Sequence, residues 1–310
     1  MEIIALANHK GGCGKTTTAI NLAYRLSKLK QKVLLIDLDP QGHSSLGLNI
    51  NPDRINLTCF DFLQKEPLEN IVIKILPNLS LIPGSMKTAF IEQMLAGKNR
   101  REYRLKDQLK KVSGYDYVLI DTPPSLGLLT VNSLLAASKV ITPLEPSNYA
   151  LHGLQKLEDT IKMLRDKAKH QIESRYLITM MRPTKFCEDF LNTIKPFFKE
   201  NILKTKVAFS ELYKDAALVG LPAGEYDSEQ YDDYTNLAIE LKAWVDKKDP
   251  VFISSLPSPV KIEMNGNPEM IQMLRGTEDG FEYRYVIDTD GNITTLRSKK
   301  LNMVNIKKLN

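Results

Sequence analysis

Short apolar runs along the chain alternate with longer segments in which apolar residues recur at helical spacing. The runs are typical of strands buried on both faces of a sheet, and the recurring positions are typical of helices packed against it. The apolar runs lie at residues 2–7, 33–36, 79–84, 117–121, 140–144 and 176–181, with a weaker one at 207–209. This alternation predicts a doubly wound, mostly parallel α/β sheet with helices on both faces.

Helical periodicity is clearest directly after the first apolar run. Leu22, Leu26 and Leu29 fall on one face of a helix predicted over residues 16–30. Further helices are predicted at residues 151–169, 185–199 and 229–247. Two segments are less regular. Residues 43–78 are expected to form a loop and short helices outside the sheet, and residues 86–111, rich in Lys and Arg, solvent-facing helices.

The pattern changes after residue 248. Pro257, Pro259 and Pro268 indicate a linker. Alternating residues from Phe281 to Ile287, and again from Ile293, predict a two-stranded hairpin, and we expect no second strand pair. The sequence is therefore divided into a main domain, residues 1–248, and an extension, residues 249–310, to which it assigns no role.

Composition is that of an ordinary globular protein. The chain has 310 residues, of which 43% are hydrophobic and 25% charged. Its net charge of +5 permits contact with nucleic acid or an anionic membrane but requires neither. The three cysteines show no C-x-x-C spacing, which argues against zinc or a disulfide framework. Without a signal peptide or a long apolar stretch, the protein is expected to be cytoplasmic.

The candidate chemistry begins between the first strand and the first helix, in residues Lys10–Thr17, which read K-G-G-C-G-K-T-T. Glycines let backbone N–H groups turn towards an anion, and the following helix starts with unpaired N–H groups at the same point. The segment thus predicts a triphosphate-binding loop. It departs from the common P-loop, because His9 stands where that motif has glycine and Lys10 is an additional lysine.

Acidic residues follow two of the other predicted strands. Asp37 and Asp39 come after the second strand, and Asp121 ends the strand at 117–121. The carboxyl ends of parallel strands share one edge, so these acids should lie near the loop. A hydrophobic strand that ends in Asp is the Walker B arrangement, which holds magnesium. A plain turn rich in Asp, Pro and Gly is the alternative for Asp37–Gly42, and the nearby loop disfavours it.

With these motifs the chain resembles ParA/Soj-type partition ATPases, which carry a deviant Walker A loop and belong to the ParA/MinD superfamily. The resemblance rests on residues 10–17, 37–42, 121–127 and 149–154, and covers about residues 1–245. It implies a P-loop NTPase fold over residues 1–248, ATP and Mg²⁺ as cofactors, and an ATPase that is slow without a stimulating partner.

Roles for individual residues follow from the needs of phosphoryl transfer and from this resemblance. Lys15 is expected at the β- and γ-phosphates, Thr16 at magnesium and Thr17 at the α-phosphate, with Asp121 orienting the metal through water. Nucleotide binding is also assigned to the rest of the loop, Gly11, Gly12, Cys13 and Gly14, and the edge of the adenine to Met180 and Arg182.

The resemblance gives the remaining catalytic roles. It implies that Lys10 reaches the phosphates of a partner subunit across an ATP-dependent homodimer. It further implies that Asp39 positions the attacking water, while Asp37 lies in the second shell of magnesium or braces the loop. Spacing alone does not separate the roles of these two acids.

Partners are also implied by the resemblance. We expect an ATP-dependent homodimer that binds DNA nonspecifically, associates with the nucleoid and positions a plasmid, a chromosome or a protein assembly. A ParB-like protein or cargo adaptor would stimulate it. Residues 209–215 lack the arginines with which many relatives bind DNA. The candidate DNA contacts in their place are Lys204, Lys206, Lys214, Lys242, Lys247, Lys248 and the basic residues of 296–310. The alternative is a MinD-like membrane-associated ATPase, disfavoured because the apolar stretch at 301–309 is short.

Overall fold

The computed structural model describes residues 1–147, 150–227 and 233–248, with the backbone alone at 151–153, and the backbone of five strands between residues 262 and 299. By its internal contacts the chain divides into two compact units, Met1–Ala238 and Ile239–Asn310. The predicted domain boundary at residue 248 remains a prediction.

The main unit is built on one eight-stranded sheet. Its strands are β1 (Glu2–Leu6), β2 (Val33–Asp37), β3 (Ile73–Leu76), β4 (Leu79–Ile82), β5 (Tyr117–Asp121), β6 (Lys139–Leu144), β7 (Glu173–Met181) and β8 (Ile202–Ala208). Their spatial order is β3-β4-β2-β5-β1-β6-β7-β8. All neighbouring pairs are parallel except β3 with β4, which confirms the doubly wound, mostly parallel sheet.

Helices fill the connections between the strands. They are α1 (Lys15–Lys28), α2 (His43–Leu46), α3 (Cys59–Leu63), α4 (Leu68–Ile71), α5 (Ile91–Met94), α6 (Arg104–Leu109), α7 (Leu128–Ala136), α8 (Ala150–Lys167), α9 (Lys185–Phe198), α10 (Leu212–Leu218), α11 (Ala223–Tyr226) and α12 (Asp233–Asp246). Short 3₁₀ turns lie at Pro52–Arg54, Met86–Phe90, Arg101–Tyr103 and Lys199–Asn201.

Apolar side chains cover the central strands on both faces. Every residue of β2 and β5 is buried. Leu34 and Val118 belong to a core that also contains Phe62 and Leu105 of the helices on one face. Side chains alternate along a strand, so the equally buried Leu35 faces the other side, where α1 contacts both strands. Burial on two faces explains why these strands read as unbroken apolar runs.

The topology gathers the chemical motifs at one edge. β1 lies between β5 and β6 and pairs in parallel with both. Asp37, the last residue of β2, is directly opposite Asp121, the last residue of β5. Because parallel strands end at the same edge, the loop that follows β1 emerges beside these two carboxylates.

One part of the main unit differs from the prediction. Residues 43–78 were expected to lie outside the sheet, but β3 joins it as an antiparallel edge strand with a register shift after Lys74. It is only four residues long and partly buried, and the exposed Lys74 interrupts its apolar residues, so it differs from the unbroken runs of the central strands. α7 was not predicted either, because it buries Thr130, Asn132 and Ser133 together with its apolar residues and so shows no clear helical periodicity.

The extension contains more strands than the sequence analysis predicted. The predicted hairpin is confirmed as β12 (Phe281–Ile287) and β13 (Ile293–Lys299). β11 (Gln272–Glu278) pairs with β12, and β9 (Ile262–Met264) pairs with β10 (Asn267–Glu269), so the expectation of no further strand pair is wrong. Pro257 and Pro259 of the predicted linker and the apolar stretch at 301–309 lie outside the described residues, whereas Pro268, also assigned to the linker, lies in β10.

Candidate functional site

The loop between β1 and α1 turns through two left-handed glycines. Gly12 has φ 75° and Gly14 has φ 88°, values that residues with a Cβ rarely adopt. The carbonyl of Gly14 accepts the N–H of Thr18 at 2.9 Å, so the helix begins immediately after the loop. The unpaired N–H groups of the first turn of α1 therefore lie beside the loop, which suits a phosphate group.

Two buried side chains fasten the loop to the neighbouring strands. Asn8 donates from Nδ2 to the carbonyl of Pro143 at 2.7 Å and accepts the N–H of Lys10 at 3.0 Å. Thr179 donates from Oγ1 to the carbonyl of Cys13 at 2.9 Å. The ends of β6 and β7 thus fix the loop, which limits its rearrangement when a ligand binds.

The two lysines of the loop lie in different surroundings. Lys15 is buried, and its Nζ donates to the carbonyl of Lys10 at 3.2 Å, so its charge stays over its own loop. Lys10 instead forms an ion pair with Glu145 and donates to Ser147 Oγ at 3.0 Å. Both of these partners follow β6. Lys10 is therefore held by residues outside the loop and is partly exposed at its rim, whereas Lys15 is buried against the loop itself.

Cys13 is a packing residue of the loop. It is fully buried, and its Sγ donates to the carbonyl of Lys10 at 3.2 Å. Burial raises the pKa of the thiol, which disfavours the reactive thiolate. Elsewhere in the loop, Gly11 packs near Pro124, and Thr16 and Thr17 line a cavity of about 250 Å³ beside α1.

The carboxylates at the ends of β2 and β5 are buried and share their surroundings. Asp121 Oδ2 accepts hydrogen bonds from Thr16 Oγ1 and Ser44 Oγ, both at 2.8 Å. Asp37 Oδ2 accepts the N–H of Ser45 at 2.8 Å and its Oγ at 2.7 Å. The second oxygen of each carboxyl, Oδ1, is buried and has no hydrogen-bond partner among the residues that the structure describes.

Burial changes the protonation of this pair. Loss of solvent, followed by repulsion from Asp121, raises the pKa of Asp37 to about 8. Burial also raises the pKa of Asp121, to about 6, although the hydrogen bonds from Thr16 and Ser44 oppose the change. Two adjacent buried carboxylates resist ionising together, so the site favours a bound cation or a proton.

The donor set fits magnesium held together with phosphate and water. Mg²⁺ prefers oxygen ligands and is usually bound by one or two carboxylates plus substrate phosphates. Thr16 and the unpaired oxygens of Asp37 and Asp121 supply such oxygens beside the loop. Within the described part of the chain, no group of three His, Cys, Asp or Glu side chains could hold a metal by itself.

Asp39 lies in the turn that follows β2. It is 7% exposed, and its Oδ1 accepts the N–H of Gln41 at 2.9 Å. Its carbonyl accepts the N–H of Gly42, also at 2.9 Å. The orientation of this carboxylate therefore depends on the conformation of the turn.

The two residues assigned to adenine lie at the end of β7. Met180 has an unusual φ of 53°, and its Cε is 3.9 Å from the position that a Cβ on Gly14 would occupy. The guanidinium of Arg182 stacks on Phe209, 3.9 Å from the ring centre. Met180 is thus beside the loop, and its contact with adenine, like that of Arg182, remains a prediction.

Several residues that shape the site were not identified from the sequence. They are Asn8, Ser44, Ser45, Glu145 and Thr179. Only His43 separates Ser44 and Ser45 from Asp37–Gly42, so their position in the chain offered a signal. Glu145 and Thr179 follow or end strands distant in sequence, and only the strand order places them at the loop.

Known proteins resemble this chain in sequence and in structure. A family model described as an AAA domain (AAA_31) matches residues 1–174. The sporulation initiation inhibitor protein Soj of Bacillus subtilis is 35% identical over 252 residues, which is 78% of this chain and 98% of Soj.

Two solved structures share the fold and hold nucleotides. One is cobyrinic acid a,c-diamide synthase from Mycobacterium smegmatis, with a bound ATP analogue and magnesium. It matches with a TM-score of 0.70 and 27% sequence identity, over 82% of this chain and 100% of the synthase chain. A putative plasmid partition protein from Borrelia burgdorferi, bound to AMPPNP, has a TM-score of 0.67 and 26% identity over 79% of this chain and 99% of its own.

These matches confirm the P-loop α/β fold, ATPase activity and the expectation of ATP with magnesium. None of the described helices is both long and apolar enough to cross a membrane. The chain belongs to the AAA_31 family of P-loop proteins and, within it, to the ParA/Soj partition ATPases.

Proposed function

We propose that this positioning ATPase is a dimerising switch. ATP drives two copies together, the dimer binds DNA nonspecifically, and a partner protein stimulates the hydrolysis that releases it. Bound to DNA, the dimer would be associated with the nucleoid and would position a plasmid, a chromosome or a protein assembly. The name of the Borrelia plasmid partition protein supports the positioning role.

The separation of the two loop lysines is the observation that carries the proposal. Lys15 contacts the carbonyl of Lys10 in its own loop, which supports a role at the nucleotide of its own subunit. Lys10 is held at the rim by Glu145 and Ser147, partly exposed. A cation at the rim can serve the phosphates of a second subunit that faces the loop. Hydrolysis would then require the dimer, which links nucleotide state to assembly.

Within each subunit we propose the following division of work. The backbone from Gly11 to Gly14, together with Lys15, cradles the β- and γ-phosphates, and Thr17 contacts the α-phosphate. The magnesium-binding residues are Thr16, Asp37 and Asp121, the two acids acting through water. Adenine lies near Met180 and Arg182.

Asp39 is proposed to orient the attacking water. Catalysis of phosphoryl transfer depends on positioning this water in line with the γ-phosphorus and on cations that offset the charge of the transition state. When bound, magnesium supplies part of that charge compensation. Because the orientation of Asp39 depends on its turn, a partner that reshapes the turn would accelerate hydrolysis. Slow basal turnover follows from the same dependence.

Retention on DNA tests the proposal. Purified protein is passed over immobilised mixed-sequence DNA with ATP, ADP or no nucleotide, at fixed ionic strength. We expect retention at least about tenfold stronger with ATP than with ADP, within the usual range of coupling between two binding sites. The Asp39→Ala variant should be retained most strongly, because it traps the ATP-bound dimer. Equal retention in all three nucleotide states would contradict the switch.

An ATP-dependent interaction with vesicles of anionic lipid is the result that the MinD-like alternative predicts. Co-sedimentation with such vesicles, with ATP and with ADP, separates it from the proposed DNA switch.

A further inference from the structure

One short segment carries an unusual concentration of positive charge. Residues 98–111 contain seven basic residues and two acids, a net charge of +5 that equals the excess of the whole chain. The segment includes the turn Arg101–Tyr103 and helix α6. The rest of the chain is balanced overall, so this segment is where a polyanion would be attracted most strongly.

The segment forms one wall of a surface cavity of about 390 Å³. The lining residues are Lys65, Asn99, Arg100, Arg104, Asp107, Gln108 and Lys111. The one acid of that lining, Asp107, is already paired with Arg100 at 3.2 Å and with Lys110 at 3.3 Å. Its charge is thus compensated, and the cavity has a net positive charge.

The cavity wall is held in place by a buried amide. Gln108 donates from Nε2 to the carbonyls of Phe62 at 2.8 Å and Glu66 at 3.2 Å. These bonds fix α6 to the segment that contains Lys65. Its Oε1 accepts from Lys111 Nζ at 2.9 Å. The hydrogen bonds of Gln108 therefore place Lys65 and Lys111 at the same cavity.

Arg104 provides the observation that points to a ligand. Its Nε is buried and has no hydrogen-bond partner within the described residues. A guanidinium offers five donors, and a buried donor without a partner costs about 1–3 kcal/mol. An anion in the cavity would accept from Arg104 and remove this cost.

We propose that the DNA backbone is bound at this α6 surface, which we define as Lys65, Arg100, Arg101, Arg104 and Lys111. Duplex DNA carries one negative charge per ~1.7 Å of its axis, and Lys/Arg contacts to phosphate supply most nonspecific affinity. Exposed Lys98 and Lys110 extend the charge beyond the cavity, which suits a long polyanion better than a small anion. The inference rests on the proposed function and names its DNA-binding surface.

A direct connection joins this surface to the nucleotide site. Asn132 of α7 is buried, accepts the N–H of Leu105 at 3.1 Å and donates to the carbonyl of Arg101 at 3.1 Å. α7 begins directly after the loop that follows Asp121. A change in that loop on ATP binding would reach the α6 surface through α7, which provides a route for nucleotide-dependent DNA binding.

Charge removal at two surfaces tests the inference. One variant combines Lys65→Gln, Arg104→Gln and Lys111→Gln. The matched control removes the same charge near β8 with Lys204→Gln, Lys206→Gln and Lys214→Gln, which are the alternative contacts. DNA affinity with ATP is measured as a function of salt for both variants and for the unmodified chain. Basal ATPase activity without DNA should be unchanged in the α6 variant, since its three side chains lie outside the phosphate loop.

We expect the α6 variant to bind about 10–100-fold more weakly and to reduce the slope of log affinity against log salt by about 2 to 3, because each lost phosphate contact contributes about 0.9. The control should stay within about twofold of the unmodified chain. If the α6 variant folds poorly, Lys65→Glu with Lys111→Glu, which retains Arg104, should show the same loss.

Each other outcome contradicts the inference in a distinct way. If the unmodified chain is retained with ATP and the β8 variant alone loses affinity, DNA binds elsewhere and only the surface assignment fails. The assignment also fails if the α6 variant loses binding to vesicles of anionic lipid but keeps its DNA affinity. If the unmodified chain shows no ATP-dependent retention, the proposed function fails and the surface assignment with it.

Discussion

The buried pair of carboxylates makes the stability of the nucleotide-free protein depend on pH, and an Asp37→Asn variant tests this. The pKa of Asp37 is raised from 3.8 to about 8, chiefly by burial and then by repulsion from Asp121. A raised carboxyl pKa means that the folded state holds a proton which the unfolded chain releases. The stabilisation is complete below pH about 4 and is lost as the pH rises towards about 8.

The magnitude follows from that difference. Each pH unit is worth about 1.4 kcal/mol, so the loss between pH about 4 and pH about 8 is at most about 5 kcal/mol. Relaxation around the pair lowers this, and we expect a measured loss of about 1–3 kcal/mol. Asn is nearly isosteric, cannot ionise and still accepts from Ser45 through its amide oxygen. The variant should therefore show a much flatter pH dependence.

The assay is urea unfolding with a metal chelator and without nucleotide, at several pH values from about 5 to about 8.5. Asp166→Asn, at an exposed position of α8, is the matched control and should keep the pH dependence of the unmodified chain. Adding Mg²⁺ and ATP should restore stability at high pH in the unmodified chain, since a cation takes over the role of the proton. An identical pH slope for Asp37→Asn and the unmodified chain would refute the reasoning.

Two further substitutions test how the loop is held. Thr179→Val removes the hydrogen bond to the carbonyl of Cys13 at nearly constant side-chain volume. We expect the free energy of unfolding to fall by about 1–2 kcal/mol and ATP binding, measured by nucleotide titration, to weaken about 5–30-fold. Unchanged values for both would show that the bond does not position the loop. Glu145→Gln releases Lys10 from its ion pair. Because a partly exposed ion pair contributes at most about 1 kcal/mol, the ATP-dependent dimer should form at a protein concentration up to about fivefold lower, as measured by light scattering. Weaker dimerisation would mean that Glu145 is itself needed at the interface.

The central sheet and the phosphate loop were predictable from the sequence because both depend on local signals. β2 and β5 are buried on two faces and read as apolar runs, and Gly12 and Gly14 occupy left-handed positions that glycine favours. The order of the strands was not predicted and comes from the structure. Local pattern and global topology agree here.

The missed elements have identifiable physical causes. β3 is a short edge strand whose apolar residues are interrupted by Lys74, and it gains its place from pairing with β4. In the extension, the sequence does carry turn signals. Asn-Gly at residues 265–266 and Asp-Gly at residues 279–280 stand between strands β9 and β10 and between β11 and β12, and both dipeptides are strong hairpin signals.

The contacts of the site were the least predictable part. Whether Lys10 approaches its own phosphates or turns to Glu145 depends on where β6 ends relative to the loop. The hydrogen bonds of Asp37 and Asp121 depend on the fold of the short helix α2. Such contacts join residues distant in sequence, and a single sequence carries no signal for them.

The claim that Lys10 acts on the phosphates of a second subunit is tested most directly by mixing two inactive variants. Lys10→Ala lacks the lysine, and Asp39→Ala lacks the residue proposed to orient water. In a mixed dimer, the site of the Lys10→Ala subunit keeps its own Asp39 and receives Lys10 from its partner. The variants are mixed before ATP is added. With random pairing, about half of the dimers are mixed and each of these has one complete site, so ATPase activity should return to about a quarter of that of the unmodified chain. If the mixture stays as inactive as the two variants alone, Lys10 does not act across the dimer.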